Sequence, residues 1–200
     1  TVPGRGAGRK YTVGSVAVVS GGAHKVVLLL LPDMGNNLSS ALTTSLFSHF
    51  PNVSTVIMTG IAGGLPHPSR PDEHVRLGDI VVTNQKGVIQ YDNIKQTDDE
   101  ITIRNPPRPP SAVLLEAARL LEAHQLHGER PWAAHIERVL TALPHASRPA
   151  NKSDILYSSH NPERTLPHPK DPKRAPKIPR LFLGAIASAN ILLKSAERRD

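Results

Sequence analysis

The chain has 200 residues, enough for one domain, or most of one, with a real core. Apolar residues make up 38% and aromatics 4%, so the core is built from Val, Ile, Leu and Ala, and the absence of Cys excludes disulfides and thiolate metal sites. A formal net charge of +7 favours anionic partners: nucleotides, phosphates, nucleic acid or acidic lipids.

Residues 1–10, "TVPGRGAGRK", read as a flexible N-terminal segment. Its "GRGAGR" follows no strand, so it is not a dinucleotide fingerprint. No apolar stretch follows the basic residues, so the segment is not a signal peptide and the expectation is a cytoplasmic protein. "YTVGSVAVVS" (11–20) and "HKVVLLLL" (24–31) are β-rich runs joined by "GGA", which predicts a hairpin. The second run stops at Pro32, far short of a membrane span, and no membrane partner is expected. Leu38, Leu42, Leu46 and Phe50 then recur every four residues, the pattern of an amphipathic helix, with Asn36 or Asn37 available to cap it.

"VSTVIM" (53–58) predicts a buried strand, followed by the loop "TGIAGGLP" (59–66) and a further strand in "RLGDIVV" (76–82). "YDNIKQTDDEITIRNPPRPP" (91–110) reads mostly as loop. Helices are predicted over 111–124 and 131–143, the second with Pro at its first position. Eight prolines between Pro144 and Pro179 mark an insertion (144–179), either over a site or as a disordered excursion. The overlapping run from Arg164 to Arg180 holds six Lys/Arg against one Asp, read as a solvated, mobile loop. No aromatic residues interleave with these charges, so nucleic acid is not an expected partner. The chain resumes with a strand over 180–188 and a helix from about Asn190.

Alternating strands and helices predict an α/β fold over 11–200, three-layered, with a mixed central sheet and helices on both faces. In such sheets the strand-to-helix loops form the ligand crevice. Three loops have suitable chemistry. In "PDMGNN", Gly35 stands between strand and helix, where free N–H groups suit a phosphate or an activated water, or simply make a turn. In "GIAGG", Gly60, Gly63 and Gly64 around Ala62 expose nearly bare backbone able to lie against a sugar or base. The alternative is a tight strand exit needing φ > 0. In "IASAN", Asn190 offers an amide for a purine edge, or a helix cap. His124 and His127 lie three apart with no carboxylate evident beside them, so no metal site is expected.

Taken in order, "VVLLLLPDMGNN…STVIMTGIAGGLP…VRLGDIVVTNQKGVIQYDN" resembles the purine nucleoside phosphorylase / methylthioadenosine–adenosylhomocysteine nucleosidase superfamily. "FLGAIASANILLKSAERRD" (182–200) resembles the "IASGN…K…RD" segment of nucleosidase-like domains attached to bacterial defence and fungal immune-receptor-like proteins, with Ala189 where Gly is usual. The resemblance implies cleavage of the N-glycosidic bond of a purine nucleoside or nucleotide by phosphate or water, without a cofactor, in a homo-oligomer. It places Gly35 and Asn36 at the nucleophile or phosphate, Ala62, Gly63 and Gly64 along ribose and base, and Ser188, Asn190 and Leu192 around the base. Asp79 of "LGD" is expected to be structural.

Family members use an acid on a first strand, a ribose-gripping glutamate and an Asp that protonates the purine. None has a counterpart here, so the catalytic residues are unassigned and a longer parent chain is expected. A group completing such a site contributes roughly 10²–10³ in rate, so little turnover is expected of these residues alone. The alternative is a non-catalytic nucleotide-binding or oligomerisation module of a multidomain signalling or defence protein.

Overall fold

The computed structural model describes residues 2–3, 10–18, 20–98, 100–104, 108–147, 150–158, 161, 163–175 and 178–191. The chain forms two compact units, Thr1–Gly60 with Ala189–Ile191, and a second built on Ile61–Ser188.

The first unit holds β1 (Val2–Pro3), β2 (Lys10–Ala17), β3 (Ala23–Leu28) and α1 (Asn36–His49). The three strands form one antiparallel sheet, with β2 and β3 paired from Thr12↔Leu28 to Ala17↔Ala23. Gly21 and Gly22 make the predicted hairpin turn at φ 96° and 85°, angles that strain any other residue type. Tyr11 is fully buried: its ring meets Phe50 edge-on at 5.0 Å and its hydroxyl lies 2.6 Å from His49 Nδ1. Leu42 and Leu46, on the predicted helical stripe, are also buried, each contributing about 1.5–3 kcal/mol. β3 ends at Leu28 rather than Leu31, and residues 53–58 join no ladder. Ile57 and Met58 are 69% and 70% exposed. An apolar run becomes a buried strand only where neighbouring strands take up its N–H and C=O groups on both sides. Residues 53–58 lack that pairing.

The second unit is organised around β4 (Ile80–Gln90) and β9 (Leu181–Ser188), a parallel pair. Between them the chain forms β5 (Ile94–Gln96), β6 (Ile101–Ile103), α2 (Ala112–Leu126), α3 (Pro131–Ala142), β7 (Leu156–Tyr157) and β8 (Thr165–Leu166). The strands β5 and β6 form a small hairpin in what the sequence suggests is loop. The helix α2 packs on β4 and β9, burying Ala118. Its Gln125 side chain both accepts from Leu181 N–H and donates to Leu181 C=O, each at 2.8 Å, as a neighbouring strand would. Trp132 of α3 donates to Pro179 O at 3.0 Å.

The protein is thus α/β, with parallel and antiparallel pairing distributed over four small sheets among the described residues. No helix among them is long and apolar enough to cross a membrane.

Asp79 anchors the start of the parallel pair. Its side chain is only 1% exposed. It accepts two bonds from the Arg174 guanidinium, both at 2.7 Å, and backbone N–H bonds from Arg76 at 2.7 Å and Arg180 at 3.0 Å. Arg180 C=O in turn accepts from Ile80 N–H at 2.9 Å, opening the β4/β9 ladder. The structural role expected of Asp79 is what it performs. Arg180 is itself buried and paired with Asp171 at 2.6 Å. These arginines are fixed ion-pair partners, which corrects the expectation of a solvated loop at Arg174 and Arg180.

Candidate functional site

Helix α1 begins at Gly35, whose φ of 129° and ψ of 146° turn the chain into the helix without any local side-chain cap. The cap comes from far along the sequence. Asn190 Oδ1 accepts from Asn36 N–H at 2.9 Å and from Asn37 N–H at 3.3 Å. The carboxamide oxygen thereby places partial negative charge at the positive end of the helix. A Cβ on residue 35 would lie 3.2 Å from that oxygen. Gly35, Asn36 and Asn190, three of the residues proposed from sequence, are thus drawn together within one unit. The N-cap position is Gly35, and Asn36 and Asn37 enter the cap by donating their backbone N–H groups to Asn190.

The glycine-rich loop is exposed chain without regular secondary structure. Gly60, Gly63 and Gly64 all lack positive φ, so the tight-exit explanation of these glycines does not hold. A Cβ at Gly63 or Gly60 would meet nothing within 4 Å, whereas one at Gly64 would approach Val75 Cγ1 at 3.3 Å. Packing therefore asks for a small residue at Gly64 only. Ser188 closes β9, opposite Gln90, and its C=O accepts from Tyr91 N–H at 3.1 Å. Leu192 and the helix expected after Asn190 lie outside the described residues.

A second cluster, which sequence spacing does not reveal, is joined by bonds spanning up to 94 positions. His74, 2% exposed, accepts at Nδ1 from His67 N–H at 3.0 Å, and its Nε2 lies 2.9 Å from His168 Nδ1. His168 Nε2 lies 2.9 Å from Asp154 C=O. The Asp154 carboxylate accepts from Arg76 Nε at 2.9 Å and Leu77 N–H at 3.3 Å. Burial, then the nearby His168, Arg174 and Arg76, lower the pKa of His74 against the opposing pull of Asp154. Burial pushes the Asp154 carboxyl up, but the hydrogen bond and charge of Arg76 outweigh it and leave the carboxyl below its ordinary value. Burial likewise disfavours the Arg174 guanidinium, and Asp79 overcomes it to raise its pKa.

His124 does have a carboxylate beside it, Glu129. His127 turns instead to Ala123 C=O at 2.9 Å, so the two imidazoles do not share a partner. No group of three or more His, Asp or Glu side chains able to hold a metal occurs among the described residues.

Comparison with known proteins gives a consistent picture. The chain is similar to a "Nucleotide-binding leucine-rich repeat (NLR)-like protein" of Hyaloscypha variabilis, 31% identical over 205 residues, covering 96% of this chain and 20% of the relative. The chain therefore spans about one fifth of the length of that curated relative. No solved structure matches it. The family model for the "Phosphorylase superfamily" matches residues 1–144. With that match extending over the hairpin, the Gly35 turn, the glycine-rich loop and the "LGD" strand, this chain belongs to the phosphorylase superfamily.

Proposed function

We propose that this chain is the nucleoside-recognising domain of a longer protein and takes part in cleaving the N-glycosidic bond of a purine nucleoside or nucleotide, with phosphate or water as nucleophile. One observation carries the reading: Asn36 and Asn190, 154 residues apart, meet through a hydrogen bond at the start of α1, beside Gly35. Gly35 and Asn36 would position the nucleophile, and the amide of Asn190 would exchange its helix contact for one to the purine. The superfamily resemblance further assigns Ala62, Gly63, Gly64 and Ser188 to the nucleoside. At Gly63 the fold imposes neither positive φ nor crowding, so the missing side chain is better explained by a ligand that needs bare backbone. Cleavage through an oxocarbenium-like transition state needs a positioned nucleophile and a hydrogen bond to the departing base. The proposed protein is cytoplasmic and homo-oligomeric, its phosphorylase-like domain covering 11–200 with the proline-rich insertion at 144–179 and a flexible segment at 1–10.

A second reading is favoured by the NLR-like relative, of which this chain matches one fifth. In it the domain binds a purine nucleotide as a signal, without turnover. Chromatography of products from adenosine, methylthioadenosine, adenosylhomocysteine, inosine and ATP separates the two. Free base released only with phosphate present identifies a phosphorylase, and free base without phosphate a nucleosidase. Intact nucleotide retained by the protein supports recognition without cleavage. Neither release nor retention would refute both readings.

A further inference from the structure

The two ends of the histidine cluster fix its protonation. At one end, His67 N–H can only donate, so His74 Nδ1 must accept and carry no proton. At the other, Asp154 C=O can only accept, so His168 Nε2 must carry one. The 2.9 Å contact between the rings is then satisfied in one way: His74 Nε2–H donates to His168 Nδ1. Both imidazoles are neutral, both are Nε2–H tautomers, and all four ring nitrogens are engaged. A proton added to His74 Nδ1 would face the His67 N–H. One added to His168 Nδ1 would face the His74 Nε2–H. Either way two donors oppose each other at hydrogen-bonding distance, in a place where His74 is buried.

What this chain of bonds connects gives it meaning. His67 immediately follows the glycine-rich loop "TGIAGGLP", and Gly64 of that loop rests against Val75, next to His74. His168 and Asp154 belong to the proline-rich segment. We propose that the His67–His74–His168–Asp154 chain is an acid-sensitive latch that ties the exit of the glycine-rich loop to the proline-rich segment, and that uptake of a proton by His74 releases it.

The charges facing the latch set its direction. Arg76 approaches from the segment before β4, and Arg174 donates to His74 C=O at 3.3 Å from the proline-rich segment. Both cations oppose a further positive charge on His74. Asp154 is the anion facing the rings, its Oδ1 3.5 Å from His168 Nε2, but it is already engaged by Arg76. Asp79 is likewise committed to Arg174. The imidazolium form therefore gains little within the closed latch, whereas an opened imidazole takes up a proton near its ordinary pKa of about 6.5.

The latch stands without any nucleoside; only its consequence, freer access to the loop, rests on the function proposed above. Hydrogen exchange read by mass spectrometry on the full chain, without ligand, tests it between pH 7.5 and 5.5. After correction for the intrinsic pH dependence of exchange, the His67 amide and peptides covering 165–170 are expected to lose protection by about tenfold per pH unit below 6.5, with peptides of α2 unchanged. In His168→Ala the His67 amide is expected to exchange at pH 7.5 as fast as it does in the parent chain at pH 5.5. Imidazole ¹⁵N shifts at pH 7.5 should show Nδ1 bare and Nε2 protonated in both rings. A charged ring or an Nδ1–H tautomer at pH 7.5, protection that does not change with pH, or unaltered protection in His168→Ala would each overturn the latch. None of these outcomes bears on nucleoside cleavage, so the two proposals fail separately.

Discussion

One carboxamide oxygen satisfies two of the free N–H groups at the start of α1, and it comes from 154 residues away. Removing it has a definite cost. Asn190→Ala should destabilise the first unit by about 1 kcal/mol, the usual value of a lost N-terminal cap, measured as a lower denaturant midpoint. Asn190→Asp retains the acceptor and adds charge at the positive helix end, so it should match or exceed the parent in stability. If the amide also contacts a purine, Asn190→Asp should nevertheless bind nucleoside more weakly, because it loses the NH₂ donor. Stability retained with binding lost would separate the two roles left open by the sequence. Gly35→Ala is expected to cost about 1–3 kcal/mol, since φ 129° is a conformation nearly confined to glycine. Sequence shows Gly35 and Asn36 as a turn before a helix, and Asn190 as an isolated amide. Their meeting is not legible there, because a cap supplied across 154 positions leaves no local spacing to read.

Among the elements, those with their own periodic signal were the most legible. The hairpin, α1, α2, α3 and β9 all occur close to where composition and spacing put them. Residues 53–58 were not: their apolar character reports what the segment tends to bury, not whether strands stand beside it. The hairpin of β5 and β6 was hidden because each strand has only three residues, too short for an alternation to emerge from polar surroundings. The ion pairs of Arg174 and Arg180 were hidden for the opposite reason. A basic run looks solvated until the chain brings Asp79 and Asp171 to it. Asp79→Asn would remove the carboxylate that holds Arg174 through two short bonds, leaving it only Asp171 at 3.8 Å, and breaking a buried pair in this way costs up to about 3–5 kcal/mol. Urea unfolding should show the loss, accompanied by faster exchange at the starts of β4 and β9.

Acid should act on the second unit in two stages. His74 has a lowered pKa, so the unfolded chain binds its proton first as pH falls. Its contribution is complete above about pH 6.5 and lost between there and the lower folded-state value. The Asp154 carboxyl is also held below its ordinary value, so its contribution is present above about pH 3.8 and lost only as pH falls further. Denaturant midpoints measured across pH should fall first below 6.5, then flatten, then fall again below about 4. A single decline confined to the carboxylate range would contradict the part given to His74.

At the scale of the whole molecule, the family was readable because it rests on ordered blocks: the Gly35 turn, the glycine-rich loop and the "LGD" strand all lie inside the region matched by the superfamily. The reaction was less readable, since chemistry depends on groups brought together in space. The relative, of which this chain spans about one fifth, places such a domain in a larger protein of the NLR-like kind. The proposed function has a purine nucleoside engage the junction of Gly35, Asn36 and Asn190. Its most direct test is an NMR titration of the chain with adenosine, following the backbone amides of residues 35–37 and the side-chain amide of Asn190. Saturable shifts are expected at these signals and are abolished in Asn190→Ala. Unchanged signals at residues 35–37 and 190 at saturating adenosine, inosine and ATP would contradict it.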